Sequence, residues 1–438
     1  MQDSGHFMST RLFHALCFFA LAVVSSGVAG SESKPNIVFF LADDLGWTGL
    51  RCFGSDFYET PNLDRLAEEG IKFTDAYAAC TVCSPTRASI LTGKYPARLR
   101  LTSFIPGQER PFAKLTIPDW TKGLQASETT LPEVLQANGY KTLHVGKWHL
   151  DFPNRPDAGP TSHGFDFSAD KPKGTKGFYL SEKTQKELGT ESGYLTDYLA
   201  DLAVAKIEEN KAGPFFLYFA FHVPHTPIQG REDLVAEFSA KVDPEAVHRN
   251  PTYAAMVKSM DLAVGRVIAA LEDNGLADNT LIVFTSDHGD MMQSQGLGTK
   301  LFPFDESIRV PFLFHYPRLQ KGEAFTLDVP IDAPDIMPTL LGLVGLPIPS
   351  SVEGSDWSPF IRGEKESTGT EAGLLNIPIE FAEIVRNKMK AYRGLRTARY
   401  TYVRDSAGPW LLFDNEVDPY QMRNLSGRPE AQSLQESL

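Results

Sequence analysis

Several apolar runs in this 438-residue chain end abruptly in residues that carry chemistry. Residues 36–41 (NIVFFL) run into Asp43 and Asp44, residues 214–221 (PFFLYFAF) into His222 and His225, and residues 280–285 (TLIVFT) into Asp287 and His288. Residues 141–145, ahead of Gly146-Lys147-Trp148-His149, are a shorter fourth case. Such runs are apolar throughout, which describes strands buried on both faces. Helical patterns lie between them, as at 60–70, where Thr60 caps, Pro61 opens and Gly70 ends the helix. This alternation predicts an α/β fold, a large mixed and mostly parallel sheet flanked by helices on both faces. Ligands of open α/β sheets sit beyond the carboxyl ends of the strands, so the polar residues named above are expected to converge.

Past Pro317 the character changes. Residues 332–344 read as a helix ended by Gly345, residues 347–362 as a loop, and residues 395–403 and 410–413 as strands joined by a turn at 405–409. The expected division is a leader at 1–30, a main domain at 31–325 and a C-terminal α+β subdomain at 326–438 built on a short antiparallel sheet.

The leader has Arg11 before an apolar run at 12–24 and small residues at 25–30, the pattern of a secretory signal peptide. Its run falls short of the about 20 residues of a stable membrane span, so export to the periplasm or the exterior is expected. A formal charge of -13 without a basic cluster argues against nucleic acid as a partner. Of the four cysteines, Cys17 would leave with the leader. Cys80 and Cys83 form the only C-x-x-C pair, without a second pair or an H-E-x-x-H string, so no zinc motif is present. Cys52 and Cys80 are read as buried thiols, with a disulfide as the alternative.

Cys83-Ser84-Pro85-Thr86-Arg87 continues as Ala88-Ser89-Ile90-Leu91-Thr92-Gly93-Lys94. Proline suits the first turn of a helix, where its missing N–H costs nothing, so a helix is expected through residues 88–91 with Cys83 at or just before its start. Free N–H groups and the helix dipole favour an anion there, and Arg87, about one turn on, adds a planar cation. A sulfate ester fits that setting.

The string resembles the C-x-P-x-R signature of the type I sulfatases, with the T-G-K tail extending the match. Further motifs follow in family order across nearly the whole of the chain beyond the leader. The resemblance implies an alkaline phosphatase-like fold and conversion of Cys83 to formylglycine (3-oxoalanine) by a formylglycine-generating or anaerobic maturation enzyme. It implies one calcium ion held by Asp43, Asp44, residue 83, Asp287 and His288, although imidazole is a softer donor than calcium prefers. Lys147 and His149 match G-K-W-H, His225 matches H-x-P-H-x-P, and Lys300 aligns with a second family lysine. Arg87, Lys147 and Lys300 would then bind sulfate, His225 would protonate the leaving oxygen, and His149 would act as base on formylglycine. His222 is assigned to the substrate pocket.

Two departures stand out. Gln295 replaces a histidine that many relatives have, and residues 150–214 carry no mapped motif. The implied reaction is hydrolysis of a sulfate monoester, either a sulfated carbohydrate or an aryl sulfate. The alternatives are a phosphonate or phosphate ester hydrolase of the same superfamily, or an inactive protein that binds sulfated glycans.

Overall fold

The computed structural model describes residues 33–107, 119–151, 159–243, 249–320, 322–365, 372–377 and 390–438. The expected leader lies outside them. Strands β1 (Asn36–Asp43), β2 (Ile71–Tyr77), β3 (Lys141–Gly146) and β4 (Phe167–Ala169) precede a two-stranded hairpin, β5 (Thr175–Lys176) with β6 (Tyr179–Leu180). Strands β7 (Phe215–Pro224), β8 (Thr280–Ser286), β9 (Arg309–His315), β10 (Phe325–Leu327) and β11 (Ile331–Asp332) follow. The large sheet has the order β10-β2-β9-β8-β1-β7-β3-β4, and β11 also pairs with β2. Every pairing in it is parallel except those of β9, which runs against both β8 and β2.

Burial on both faces explains the unbroken apolar runs. Along β1, Val38, Phe40 and Ala42 pack into one core with residues of the Leu195–Asn210 and Pro251–Asp273 helices. Their neighbours Ile37, Phe39 and Leu41 enter the opposite core with residues of the Cys83–Thr92, Leu131–Ala137 and Ile336–Leu343 helices. A strand read alternately by two cores has no position for a polar residue until it leaves the sheet.

The Cys83–Thr92 helix begins at Cys83 itself, with Pro85 inside its first turn, as expected. Local details differ from the expectations at two places. Thr60 precedes the Pro61–Glu69 helix but makes no cap bond to it, because its hydroxyl accepts from Arg51 N–H (3.0 Å) and donates to Asp64 (3.1 Å). Residues 395–403 are not one strand. They fold as a hairpin of β13 (Tyr392–Thr397) and β14 (Tyr400–Asp405), the turn closed where Thr397 Oγ1 accepts from Tyr400 N–H at 2.8 Å.

With β12 (Ala372–Ile377) and β15 (Gly408–Asp414) these strands form a four-stranded antiparallel sheet. A buried polar knot fastens it beneath β9. Arg396 donates to both carboxylate oxygens of Asp305, at 3.3 and 3.2 Å, and Gln421 donates to Asp305 Oδ1 (3.1 Å) while accepting from its N–H (2.8 Å).

Candidate active site

The carboxyl ends of β1, β7, β8 and β3 lie side by side, and each delivers part of one cluster. The β1–β7 register shifts between Leu41 and Asp43, and Asp44 follows in the left-handed region at φ 68°. An irregular strand end of this kind re-aims side chains, and Asp tolerates that backbone better than most residues. Beyond β8, Asp287 N–H donates to the Ala42 carbonyl at 3.2 Å and Asp44 N–H donates to Asp287 Oδ1 at 3.2 Å, which ties the two acidic turns together. At the end of β3, Gly146 sits at φ 103°, where an added Cβ would lie 1.8 Å from the Ala220 carbonyl oxygen. Only glycine lets β3 close on β7 there, and Lys147 N–H bonds that same carbonyl at 2.8 Å.

Around Cys83, whose side chain is buried, cations and anions interleave. Arg87, wholly buried, donates from Nε to Asp287 Oδ2 (2.9 Å), lies 3.3 Å from Asp43 Oδ1 through Nη2, and donates from Nη1 to the Lys147 carbonyl (3.0 Å). Lys147 Nζ donates to Asp43 Oδ2 at 2.6 Å. Lys300 Nζ donates to both Asp44 oxygens, at 2.7 and 2.8 Å, and reaches Cys83 Sγ at 3.5 Å. His288 Nε2 lies 3.1 Å from Asp44 Oδ1 and 3.4 Å from Cys83 Sγ. His225 Nε2 lies 3.7 Å from Asp44 Oδ2. His149, left-handed at φ 58°, bonds the Ile105 carbonyl through Nε2 at 2.6 Å.

Two sequence-predicted residues have their bonds elsewhere. His222 pairs through Nε2 with Asp170 Oδ1 at 2.6 Å, so the hydrogen bond of this pocket candidate goes to a residue beyond β4. Gln295 donates to the Tyr420 carbonyl at 2.7 Å, fastening the Lys300 loop to the C-terminal segment. Sequence reasoning missed Ile105 and Asp170, whose parts depend on distant partners. It also missed a cleft of about 410 Å³ whose lining includes Thr226 and Thr299, the chain neighbours of His225 and Lys300, with Tyr58, Arg249, Asn250 and Gln293.

The family model described as Sulfatase matches residues 35–346. The chain belongs to the sulfatase family. It is a type I sulfatase of the alkaline phosphatase superfamily, and thus a hydrolase. A second model, described as N-sulphoglucosamine sulphohydrolase, C-terminal, matches residues 294–438. An ulvan-active sulfatase of Formosa agariphila is 34% identical over 93% of this chain and 80% of its own length. An endo-4-O-sulfatase of Bacteroides thetaiotaomicron is 30% identical over 91% of this chain and 89% of its own. Among solved structures, Ps i-CgsB in complex with k-i-k-neocarrahexaose superposes with a TM-score of 0.74 at 28% identity, covering 92% of this sulfatase and 91% of that chain.

The charges of the sulfatase site hold one another in place. Burial pushes the Asp43 carboxyl up, but Lys147, His225 and Arg87 outweigh it and keep this group ionised far below the usual carboxylate range. Burial raises Asp287 to about 6 against His288 and Arg87. Burial would lower His225, yet Asp43 and Asp44 lift it to about 9, so it carries a proton at neutral pH. The Cys83 thiol, raised by burial, is brought well below its ordinary value by Lys147, Lys300 and His288.

Among the described residues, two groups could hold a metal ion: Asp43, Asp44, Cys83 and His225, and Cys83, Asp287 and His288. Buried carboxylates, Asp43 and Asp44 in one group and Asp287 in the other, are the donors a hard divalent cation such as calcium prefers. The ammonium groups of Lys147 and Lys300 lie against Asp43 and Asp44, supplying positive charge where such an ion would sit. Sulfur at residue 83 does not suit calcium, whereas an oxygen there would.

Proposed function

We propose that this sulfatase releases inorganic sulfate from a sulfated carbohydrate, using hydrated formylglycine made from Cys83 as nucleophile. The observation that carries the reading is the three cations Arg87, Lys147 and Lys300 gathered with Asp43, Asp44 and Asp287 around a buried Cys83 at a helix start. Sugar as the alcohol portion is favoured by the relatives, which are named for ulvan and solved with a neocarrahexaose. Calcium, held by Asp43, Asp44, Asp287 and His288, would offset charge on the sulfuryl oxygens.

The chain's own residues divide the remaining work. Arg87, Lys147 and Lys300 bind and orient the sulfuryl group, and their positive charge grows in value as the ester oxygens gain charge. Asp287, with its carboxyl near 6, takes the proton of the attacking hydroxyl. His225, protonated at neutral pH, gives its Nε2 proton to the leaving oxygen, and the cleft beside it receives the sugar. His149 spends its Nε2 proton on the Ile105 carbonyl, which leaves Nδ1 to accept the proton of the second hydroxyl. An export signal at residues 1–30 and a maturation enzyme as partner complete the proposal.

Two measurements test it together. Peptide mass spectrometry after coexpression with a formylglycine-generating enzyme should find the residue-83 peptide converted, and a sulfated-glycan screen should detect free sulfate. Cys83→Ala should lower sulfate release by at least about 10⁴-fold, as loss of a nucleophile does. Full activity from unconverted cysteine would refute the mechanism.

A further inference from the structure

The three most exposed large apolar side chains among the described residues all fall in the segment 417–422: Val417 (74% exposed), Met422 (71%) and Tyr420 (52%). Apolar surface concentrated in this way marks a place where a partner is met. The segment is well fastened. Asp418 accepts from Met422 N–H (3.0 Å) and Arg423 N–H (2.7 Å), and the buried Gln421 side chain joins Asp305, Thr401 and Asn415 at 2.8 to 3.1 Å.

Tyr420 is the exposed member of a stack. Its ring lies against that of Trp47, 6.1 Å between centroids and 27° between planes, and the Arg309 guanidinium packs over the Trp47 ring at 4.4 Å. A ring held by a fixed backbone and a stacked neighbour loses little freedom when its open face is covered.

The stack borders the site from two directions. Gly46, next to Trp47, lies so close to the turn after β8 that a Cβ on it would stand 3.6 Å from Gly289 Cα, one residue beyond His288. Gln295, which bonds the Tyr420 carbonyl, follows Ser294 of the cleft wall. The Tyr420 ring thus stands at the rim of the cleft beside His225.

Chemistry selects the occupant. The face of an aromatic ring carries negative charge and attracts polarised C–H bonds, which a pyranose presents on its flat faces while its hydroxyls stay in water at the edges. A second protein is less suited, since an aromatic side chain buries at most about 250 Å² whereas a stable interface takes about 800 Å² per partner. We propose that Tyr420, backed by Trp47, is the stacking platform for a sugar beyond the one whose sulfate is cleaved, so that the enzyme favours a glycan chain over a short fragment. This inference rests on the sulfated-carbohydrate reading above and sharpens it.

The test uses the full chain with residue 83 converted, and disaccharides and hexasaccharides cut from ulvan, carrageenan and chondroitin sulfate. For the glycan that is hydrolysed, KM of the hexasaccharide should be about 10-fold below that of the disaccharide, the worth of one well-packed aromatic anchor. Tyr420→Ala should raise the hexasaccharide KM until the two agree within about twofold, with kcat for the hexasaccharide retained. Tyr420→Leu, which keeps apolar bulk against Trp47, should do the same, whereas Tyr420→Phe should keep the length preference. Phe325→Ser, at an exposed aromatic on β10, should leave that preference as it is. A length preference that survives both Tyr420→Ala and Tyr420→Leu, or none in wild type, overturns the platform while sulfate release stands. A wild-type dimer that Tyr420→Ala dissociates in sedimentation, with equal losses on both lengths, assigns the ring to contact between copies and overturns it too. No sulfate from any of these glycans sinks the sulfated-carbohydrate reading itself, and the platform with it.

Discussion

At the scale of single residues, charge placement makes quantitative demands. His225 can serve as general acid only while protonated, and with its proton held up to about pH 9 the rate should fall on the alkaline side. The limb lies at or below that pH, lower when calcium adds its own charge. In a pH–rate profile, His225→Ala should cost about 10² to 10⁴-fold and remove that limb, and a limb that survives the substitution would assign the proton to another group. The residues of this cluster were legible in the sequence because each sits inside a short string, such as C-x-P-x-R or G-K-W-H. Their partners were not. The Ile105 carbonyl that fixes the His149 tautomer lies 44 positions away in a stretch without a motif, and only folding brings it near.

At the scale of elements, continuous apolar runs announced the central strands because two cores read them at once. Propensity failed where it did not change across a turn. Residues 395–403 hold Leu395 and Thr397 before Ala398-Arg399 and Tyr400, Thr401, Tyr402 and Val403 after it, with no Gly, Pro, Asn or Asp to mark the reversal that Thr397 closes with its hydroxyl. The expected Thr60 cap failed for a different reason, since Asp64 and the Arg51 N–H compete for its hydroxyl. The contact between β3 and β7 leaves no room for a side chain at residue 146. Gly146→Ala should destabilise the fold by at least about 2 kcal/mol, through a left-handed φ and a direct overlap with Ala220. Denaturant unfolding measures this. The same change should depress activity in the remaining folded protein, because Lys147 is the next residue.

At the scale of the whole molecule, stability carries a pH signature from a residue outside the cation cluster. Burial raises the Glu306 carboxyl from 4.5 to about 7, and its Oε2 has no hydrogen-bond partner among the described residues. Between those values the native state holds a proton that the unfolded chain has lost, so stability falls as pH rises from about 4.5 to about 7 and then levels. The loss amounts to up to about 3 kcal/mol. Glu306→Gln should flatten that part of the curve in thermal unfolding from pH 4.5 to 8, and an unchanged slope would place the titration elsewhere. The reversed direction of β9 has a wider consequence. β8 ends at Ser286 beside the charged cluster around Cys83 and β9 starts again at Arg309 on the same side, so the chain between them never crosses to the far end of the sheet. That excursion carries Asp287, His288, Gln295 and Lys300. Its middle is therefore a region where insertions, deletions and new side chains can reshape the cleft while the hydrogen-bond register of every large-sheet strand stays as it is, a ready seat for diversification.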